Sequence, residues 1–199
     1  MISPTPGTRP YKGSCHCGAT KYILFLNLPH APDPTNPGPR QFFARCNCTF
    51  CHKLALLHIR VPSPSDDFLL ISPSDPFTEL GDYISSKNNV HWFFCKTCGG
   101  RCFTFLGVGE HEEVDLGTLG VAGERTGKTT KVWKVKKEEP PVAGIRYLSI
   151  NANSVDAGQD GFDLREWMEK GWLKYVENLN VHGDARPQLG DKPFAGGVY

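Results

Sequence analysis

The nine residues Arg45-Cys46-Asn47-Cys48-Thr49-Phe50-Cys51-His52-Lys53 decide how the rest of this chain is read, because they hold three thiols within six positions. Thiolates are soft ligands, and a Cys-x-Cys-x-x-Cys run turns three of them toward one point, which suits tetrahedral zinc and leaves one corner for another donor. A structural zinc site takes all four ligands from the protein, whereas a catalytic one keeps a position for water or substrate. Function therefore turns on what fills the fourth corner.

Working outward, Gly13-Ser14-Cys15-His16-Cys17-Gly18 sets two thiols either side of a histidine, with Gly18 able to adopt the positive φ of a tight turn. His16 is expected to face away from the metal as a spacer. Downstream, Cys95-Lys96-Thr97-Cys98-Gly99-Gly100 has the form of a zinc knuckle. One ion joining the two pairs closes a long loop between Cys17 and Cys95, and a structural zinc contributes on the order of 10 kcal/mol of folding free energy, which offsets that closure. Seven of the eight cysteines thus divide into four and three, and Cys102 is expected to be a free, partly buried thiol. An alternative, in which Cys102 or a histidine completes the second site, gives two closed and inert ions.

The chain has 199 residues and 39% hydrophobic content, enough for one sizeable core. A net charge of +1 and a pI near 7.6 give no reason to expect nucleic acid or an anionic membrane as an obligatory partner. The first residues lack a basic n-region and an apolar h-region, and no apolar run approaches the ~18 residues of a membrane span. The expectation is a cytoplasmic protein, a nuclear location remaining open, in which clustered cysteines bind metal rather than form disulfides.

Residues 1–10 are expected to be a loose arm, 11–177 a single zinc-binding domain, and 178–199 a tail that docks or frays. Apolar and branched runs predict strands at 20–28, 41–44, 54–61, 68–71, 78–85, 90–94, 101–106, 113–121 and 145–152, with 68–85 read as a meander. Residues 29–40 carry five prolines and read as a surface loop. His58, inside an apolar run, is expected to be a core or sheet histidine rather than a ligand. Residues 122–129 match a loose phosphate-loop pattern, but such a loop must open a helix, and residues 131–137 instead alternate like an exposed strand. The insertion 122–144 is therefore expected to be a basic surface hairpin or loop. Asp163-Leu164-Arg165-Glu166 reads as a capping box for a short helix that buries Leu164, Trp167 and Met168 and stops at Gly171.

With all three clusters in view, Gly13 to Gly18, Cys46 to Lys53 and Phe94 to Gly99, the chain resembles the glutathione-dependent formaldehyde-activating enzyme family, which also includes centromere protein V. The resemblance covers residues 11–121, with 145–176 as a family-like extension. It implies a mainly β, Mss4-like (β-tent) zinc fold with two zinc ions per chain. Carried over by motif, Cys15, Cys17, Cys95 and Cys98 would hold the structural ion, and Cys46, Cys48 and Cys51 the catalytic one. It further implies a carbon–sulfur lyase or synthase that joins a small-molecule thiol such as glutathione to formaldehyde or a related carbonyl substrate, like S-(hydroxymethyl)glutathione synthase.

Zinc with three thiolates carries a net charge of minus one, and a fourth thiolate makes it minus two, so cations or hydrogen-bond donors are needed nearby. Arg45, His52 and Lys53 flank the cluster in sequence and are expected to balance it or hold a substrate carboxylate, with His52 a candidate for moving a proton at the carbonyl oxygen. The competing expectation is a non-enzymatic zinc module in which residues 128–137 contact nucleic acid or an acidic protein, as in centromere protein V; the near-neutral pI speaks against it. The sequence leaves the oligomeric state open.

Overall fold

Strand β2 (Lys21–Leu26) is apolar at nearly every position because both of its faces are covered. In the computed structural model, which describes residues 2–30, 40–85, 89–137, 147–181 and 186–197, it lies in a five-stranded sheet. That sheet runs β1 (Arg9–Ser14), β2, β5 (Phe68–Ser72), β10 (Thr129–Val135), β9 (Gly109–Asp115). An eight-stranded sheet runs β13 (Gln188–Gly190), β12 (Leu173–Glu177), β3 (Phe42–Cys46), β4 (His58–Arg60), β11 (Tyr147–Asn151), β8 (Phe103–Leu106), β7 (His91–Phe94), β6 (Gly81–Ile84). The β3–β12 pair is parallel and its neighbours are antiparallel. Short helices α1 (Thr49–Lys53), α2 (Pro64–Asp67), α3 (Pro76–Glu79) and α4 (Leu164–Glu169) occupy connections. The chain is thus mainly β, as expected.

The main core joins the two sheets. Tyr22, Leu24, Phe68, Leu70 and Trp133 of the smaller sheet meet Phe43, Ile59, Phe93, Phe103, Phe105 and Ile150 of the larger one. On the other face of the smaller sheet, Ile23, Phe25, Leu69 and Val132 form a second core with Val114, Leu116 and Val121. Ile2 is buried in that second core, while the Ser3 and Thr5 amides donate to Asp66 and Asp67 of α2. The amino-terminal arm is accordingly held rather than loose, and β1 begins within it at Arg9.

Several elements differ from their sequence reading. β5 and β6 lie in different sheets and make no meander, because residues 76–79 form α3, started by Pro76 and capped by Asp75 on the Phe77 amide (2.9 Å). The strand expected at 113–121 stops at Asp115, whose carboxylate takes the Thr118 and Gly127 amides and folds the chain into a turn. Of 54–61 only residues 58–60 are strand, since Ala55 adopts φ 48°. The basic stretch is the largest departure. β10 pairs with both β5 and β9, and Lys134 is 3% exposed with its ammonium 2.7 Å from Glu112. Residues 122–129 and Lys131 are exposed and β10 pairs with β9 as a hairpin, as expected, whereas residues 132–135 bury both faces with a compensated lysine. The expected proline-rich loop at 31–39 and the remainder of the insertion at 138–144 lie outside the described residues.

Asp163 caps α4 at the Arg165 amide (2.9 Å), and Gly171 ends it with φ 67°. Trp167 is fully buried and stacks on Phe43 with ring centroids 3.8 Å apart, but Met168 is 54% exposed, because so short a helix presents only its Leu164–Trp167 edge to the core. The carboxy-terminal segment docks through β12 and β13. Among the described residues no helix is long and apolar enough to cross a membrane.

Candidate metal centre

All eight cysteines are free thiols, and two groups of them converge with sulfur atoms within 4.8 Å of one another: Cys15, Cys17, Cys95 and Cys98, and separately Cys46, Cys48 and Cys51. In the first group Cys15 follows β1 of the smaller sheet and Cys95 follows β7 of the larger, so the cluster ties the two sheets at one end. Backbone turns hold it: the Gly18 amide donates to the Cys15 carbonyl (2.9 Å), the Gly99 amide to that of Cys95 (2.8 Å), and both glycines have positive φ. A Cβ on Gly100 would stand 3.1 Å from Cys15 Cβ and 3.3 Å from Cys98 Sγ, so the two halves close on a glycine. Sulfur separations of 3.6 Å for Cys15–Cys17 and Cys17–Cys95 match the roughly 3.8 Å set by tetrahedral zinc–sulfur bonds of ~2.3 Å.

The second group sits on one turn of backbone. Cys46 ends β3, Cys48 is the N-cap of α1 with its sulfur accepting from the Cys51 amide (3.4 Å), and the Cys48 amide points at Cys46 Sγ (3.4 Å). Two amides therefore already face sulfur, as they would face thiolates. Cys48 is held well below the usual thiol value by hydrogen bonds from Cys46 and Cys51; Cys48 pushes Cys46 up to about 11, and Cys46 followed by Cys48 pushes Cys51 higher still. The bare cluster thus shares one negative charge, and ionising all three sulfurs requires a cation among them. The donor set fits a soft divalent ion such as zinc at each site, four thiolates at one and three at the other. No imidazole or carboxylate of the described residues joins either group, and Cys102, 3% exposed and pushed up to about 12 by burial, lies outside both.

Strand register decides what faces the second group. Phe42 pairs with Arg60, Ala44 with His58, and Cys46 with Val176, so these side chains share one face of the larger sheet. Continuing across β11 and β8, Asn151 pairs with His58 and Tyr147 with Leu106, which adds Tyr147 and Ser149 to the same face. This is the outer face, opposite the inter-sheet core. It forms the floor of a cleft of about 610 Å³ that Cys46, Cys48, Cys51, His58, Arg60, Trp92 and Tyr147 line.

Under that cleft runs a chain of polar side chains. His58 Nε2 lies 3.2 Å from Cys51 Sγ, and its Nδ1 lies 2.8 Å from Ser149 Oγ. Burial holds the His58 imidazole down to about 4, so it is neutral and carries one proton. With Cys51 as a thiolate, that proton belongs on Nε2 and Ser149 donates to Nδ1. Burial raises the Tyr147 hydroxyl, which also meets Ser149, so it stays protonated. Arg60 stacks on the Tyr147 ring with its guanidinium carbon 4.3 Å from the centroid.

The structure brings together all seven expected metal ligands and sets apart the three neighbours expected to contact substrate. Arg45 adjoins Cys46 in a strand, so it points to the opposite face, where its Nε is buried without a partner. His52 and Lys53 are exposed on the far side of α1 and line a different depression with Asn47 and Leu179. Their places in the cleft are taken by His58, Arg60 and Tyr147. His58 is a sheet histidine and not one of the ligand group, as expected, yet it touches a ligand. The signal available in the sequence was the two-residue spacing of His58 and Arg60 and of Tyr147 and Ser149, which puts each pair on one strand face. No family model, curated protein or solved structure matches this chain.

Proposed function

We propose that this protein is a zinc-dependent carbon–sulfur lyase or synthase acting on a thiol, glutathione being the first candidate, and an aldehyde or its hemithioacetal, on an Mss4-like fold similar to that of glutathione-dependent formaldehyde-activating enzymes. The observation that carries the reading is the three-thiol cluster on the floor of an open cleft, with no fourth protein ligand among the described residues. Cys46, Cys48 and Cys51 would hold the catalytic zinc, and Cys15, Cys17, Cys95 and Cys98 the structural one. The catalytic ion, when bound, stabilises a substrate thiol as its nucleophilic thiolate at neutral pH.

The chain's own residues supply the remainder. His58 donates to Cys51 and keeps that ligand's charge in place while the substrate's is added. Trp92 and Phe50, with ring centroids 4.2 Å apart, wall the cluster and exclude water from it. Tyr147 gives its proton to the carbonyl oxygen as the carbon–sulfur bond forms, and takes it back when that bond breaks; Ser149 and His58 lie behind it as hydrogen-bond partners.

The rival binding-module reading has less to stand on, because its basic segment contributes a buried lysine paired with Glu112 and a Lys137 paired with Asp66 (3.1 Å). Thiols and formaldehyde combine unaided, so the test is a rate. Exchange NMR on ¹³C-formaldehyde with glutathione should show interconversion of free and adduct carbon accelerating in proportion to zinc-loaded protein, and Cys48→Ser should abolish the acceleration while the fold persists. Absence of acceleration across a panel of thiols and aldehydes would sink the enzyme reading.

A further inference from the structure

The cleft at the cysteine cluster does not end at Arg60. Beyond it lies a second cavity of about 650 Å³, and the two share Phe42 and Arg60 as a common wall. Arg40 lines the far cavity and Arg60 lines both, whereas no aspartate or glutamate among the described residues lines either one. Arg60 is held by its stack on Tyr147, and no carboxylate of the described residues pairs with it. The surface therefore runs from the three-thiol cluster at one end to a guanidinium with no carboxylate of the described residues beside it at the other, along a single strand face.

Register supplies the length. Arg60 pairs with Phe42, at the opposite end of β3 from Cys46. Four steps along a strand span about 13 Å, so the cluster and Arg60 lie on the order of 10 Å apart. An extended peptide advances ~3.3–3.6 Å per residue, so that gap is spanned by about three residues and by neither a single amino acid nor a simple mercaptan.

We propose that Arg60 selects the substrate: it anchors a carboxylate of an extended, short-peptide-sized acidic thiol whose sulfur is at the Cys46–Cys48–Cys51 cluster. This deepens the thiol reading above and rests on it. A guanidinium held over an aromatic ring has less freedom to turn its N–H fork, which suits two-point recognition of a carboxylate over a neutral ester or amide of the same shape. Lysine at this position would keep the charge and lose the fork.

Three probes with one skeleton test it: glutathione, its diethyl ester, and S-methylglutathione, which keeps the carboxylates and lacks the thiol. Binding is read on cobalt-loaded protein from the sulfur-to-metal charge-transfer bands and, independently of metal, by calorimetry. Glutathione is expected to bind about 10- to 100-fold more tightly than the diester. Arg60→Gln should bring glutathione to the diester's level without changing the diester, which also shows the site intact, and Arg60→Lys should restore part of the preference. Equal affinities for acid and ester in the wild type, or a preference that survives Arg60→Gln, overturns the proposal. If thiols leave the cobalt bands unmoved while S-methylglutathione still binds with Arg60-dependent affinity, the acid site stands and the thiol reading falls; if none of the three binds, both fall.

Discussion

Cys15, Cys17, Cys95 and Cys98 are held by backbone turns between two sheets, while Cys46, Cys48 and Cys51 are held by one strand end and one helical turn on the outer face of a single sheet. The first arrangement ties the two sheets together, so a metal bound there would stabilise the fold. The second is local, from Cys46 to Cys51, and its surroundings are side chains from strands that are distant in sequence. The first group exposes Cys17 at the surface, and the second is reached through the cleft, where Cys46 and Cys51 are buried and Cys48 is half-buried, so the difference lies in what surrounds the sulfur.

The largest effect that could break this contrast is on stability. Cys95→Ser should remove one metal equivalent and with it on the order of 10 kcal/mol, leaving a chain that no longer unfolds cooperatively. Cys48→Ser should also lose one equivalent but stay within about 2 kcal/mol of the wild type, since serine is a better N-cap than cysteine and α1 keeps its start. Metal analysis with denaturant unfolding checks both; equal destabilisation by the two would erase the distinction between cohesive and reachable sites.

A smaller effect sharpens it. His58→Ala should weaken metal binding at the three-thiol cluster by about 10- to 100-fold and leave the four-thiol cluster unchanged, because among the described residues an imidazole nitrogen lies within hydrogen-bond distance of a sulfur of the first group alone. Competition with a chromophoric chelator resolves the two affinities, and a parallel loss at both sites would mean that His58 merely supports the fold. Smallest of all, His52→Ala and Lys53→Ala should change stability by no more than about 0.5 kcal/mol and leave thiol affinity untouched, since both side chains are exposed away from the cleft. A tenfold loss of glutathione affinity in either titration would return the substrate contacts to the sequence neighbours of the cluster.

What was legible in the sequence is what short-range chemistry dictates. Both thiol groups, the knuckle turn with its glycines and the strands leading into Cys46 and Cys95 follow from spacing over a few residues, whereas β1, which leads into Cys15, does not. The cleft does not, because its wall is written in register. Arg60 reaches the site by pairing with Phe42, and Tyr147 by lying two strands over, and neither pairing leaves a mark within a local window. Adjacency misled at Arg45 for the same reason, since a strand sends neighbours to opposite faces. β10 was misread because a lysine in an alternating run signals solvent until its partners Glu110 and Glu112, brought by the neighbouring strand, are known. β12 went unread as a strand, although its parallel pairing with β3 is what covers one side of Cys46.

That pairing is clinched by Asn47, between two of the ligands. Its Oδ1 accepts from the Asn178 and Leu179 amides at 2.7 and 2.9 Å, and its Nδ2 donates to Glu177 and to the Ala195 carbonyl. The consequence is one of timing during synthesis. All four thiols of the sheet-tying group precede β8 in the chain, so that group is complete in sequence before the central strands β8 and β11 of the larger sheet are made. The three-thiol loop waits for residues beyond Leu173 before β3 gains its parallel neighbour and Asn47 its four bonds. A chain stopped before Leu173 would keep the four-thiol group and lack both the strand that flanks Cys46 and the partners of Asn47.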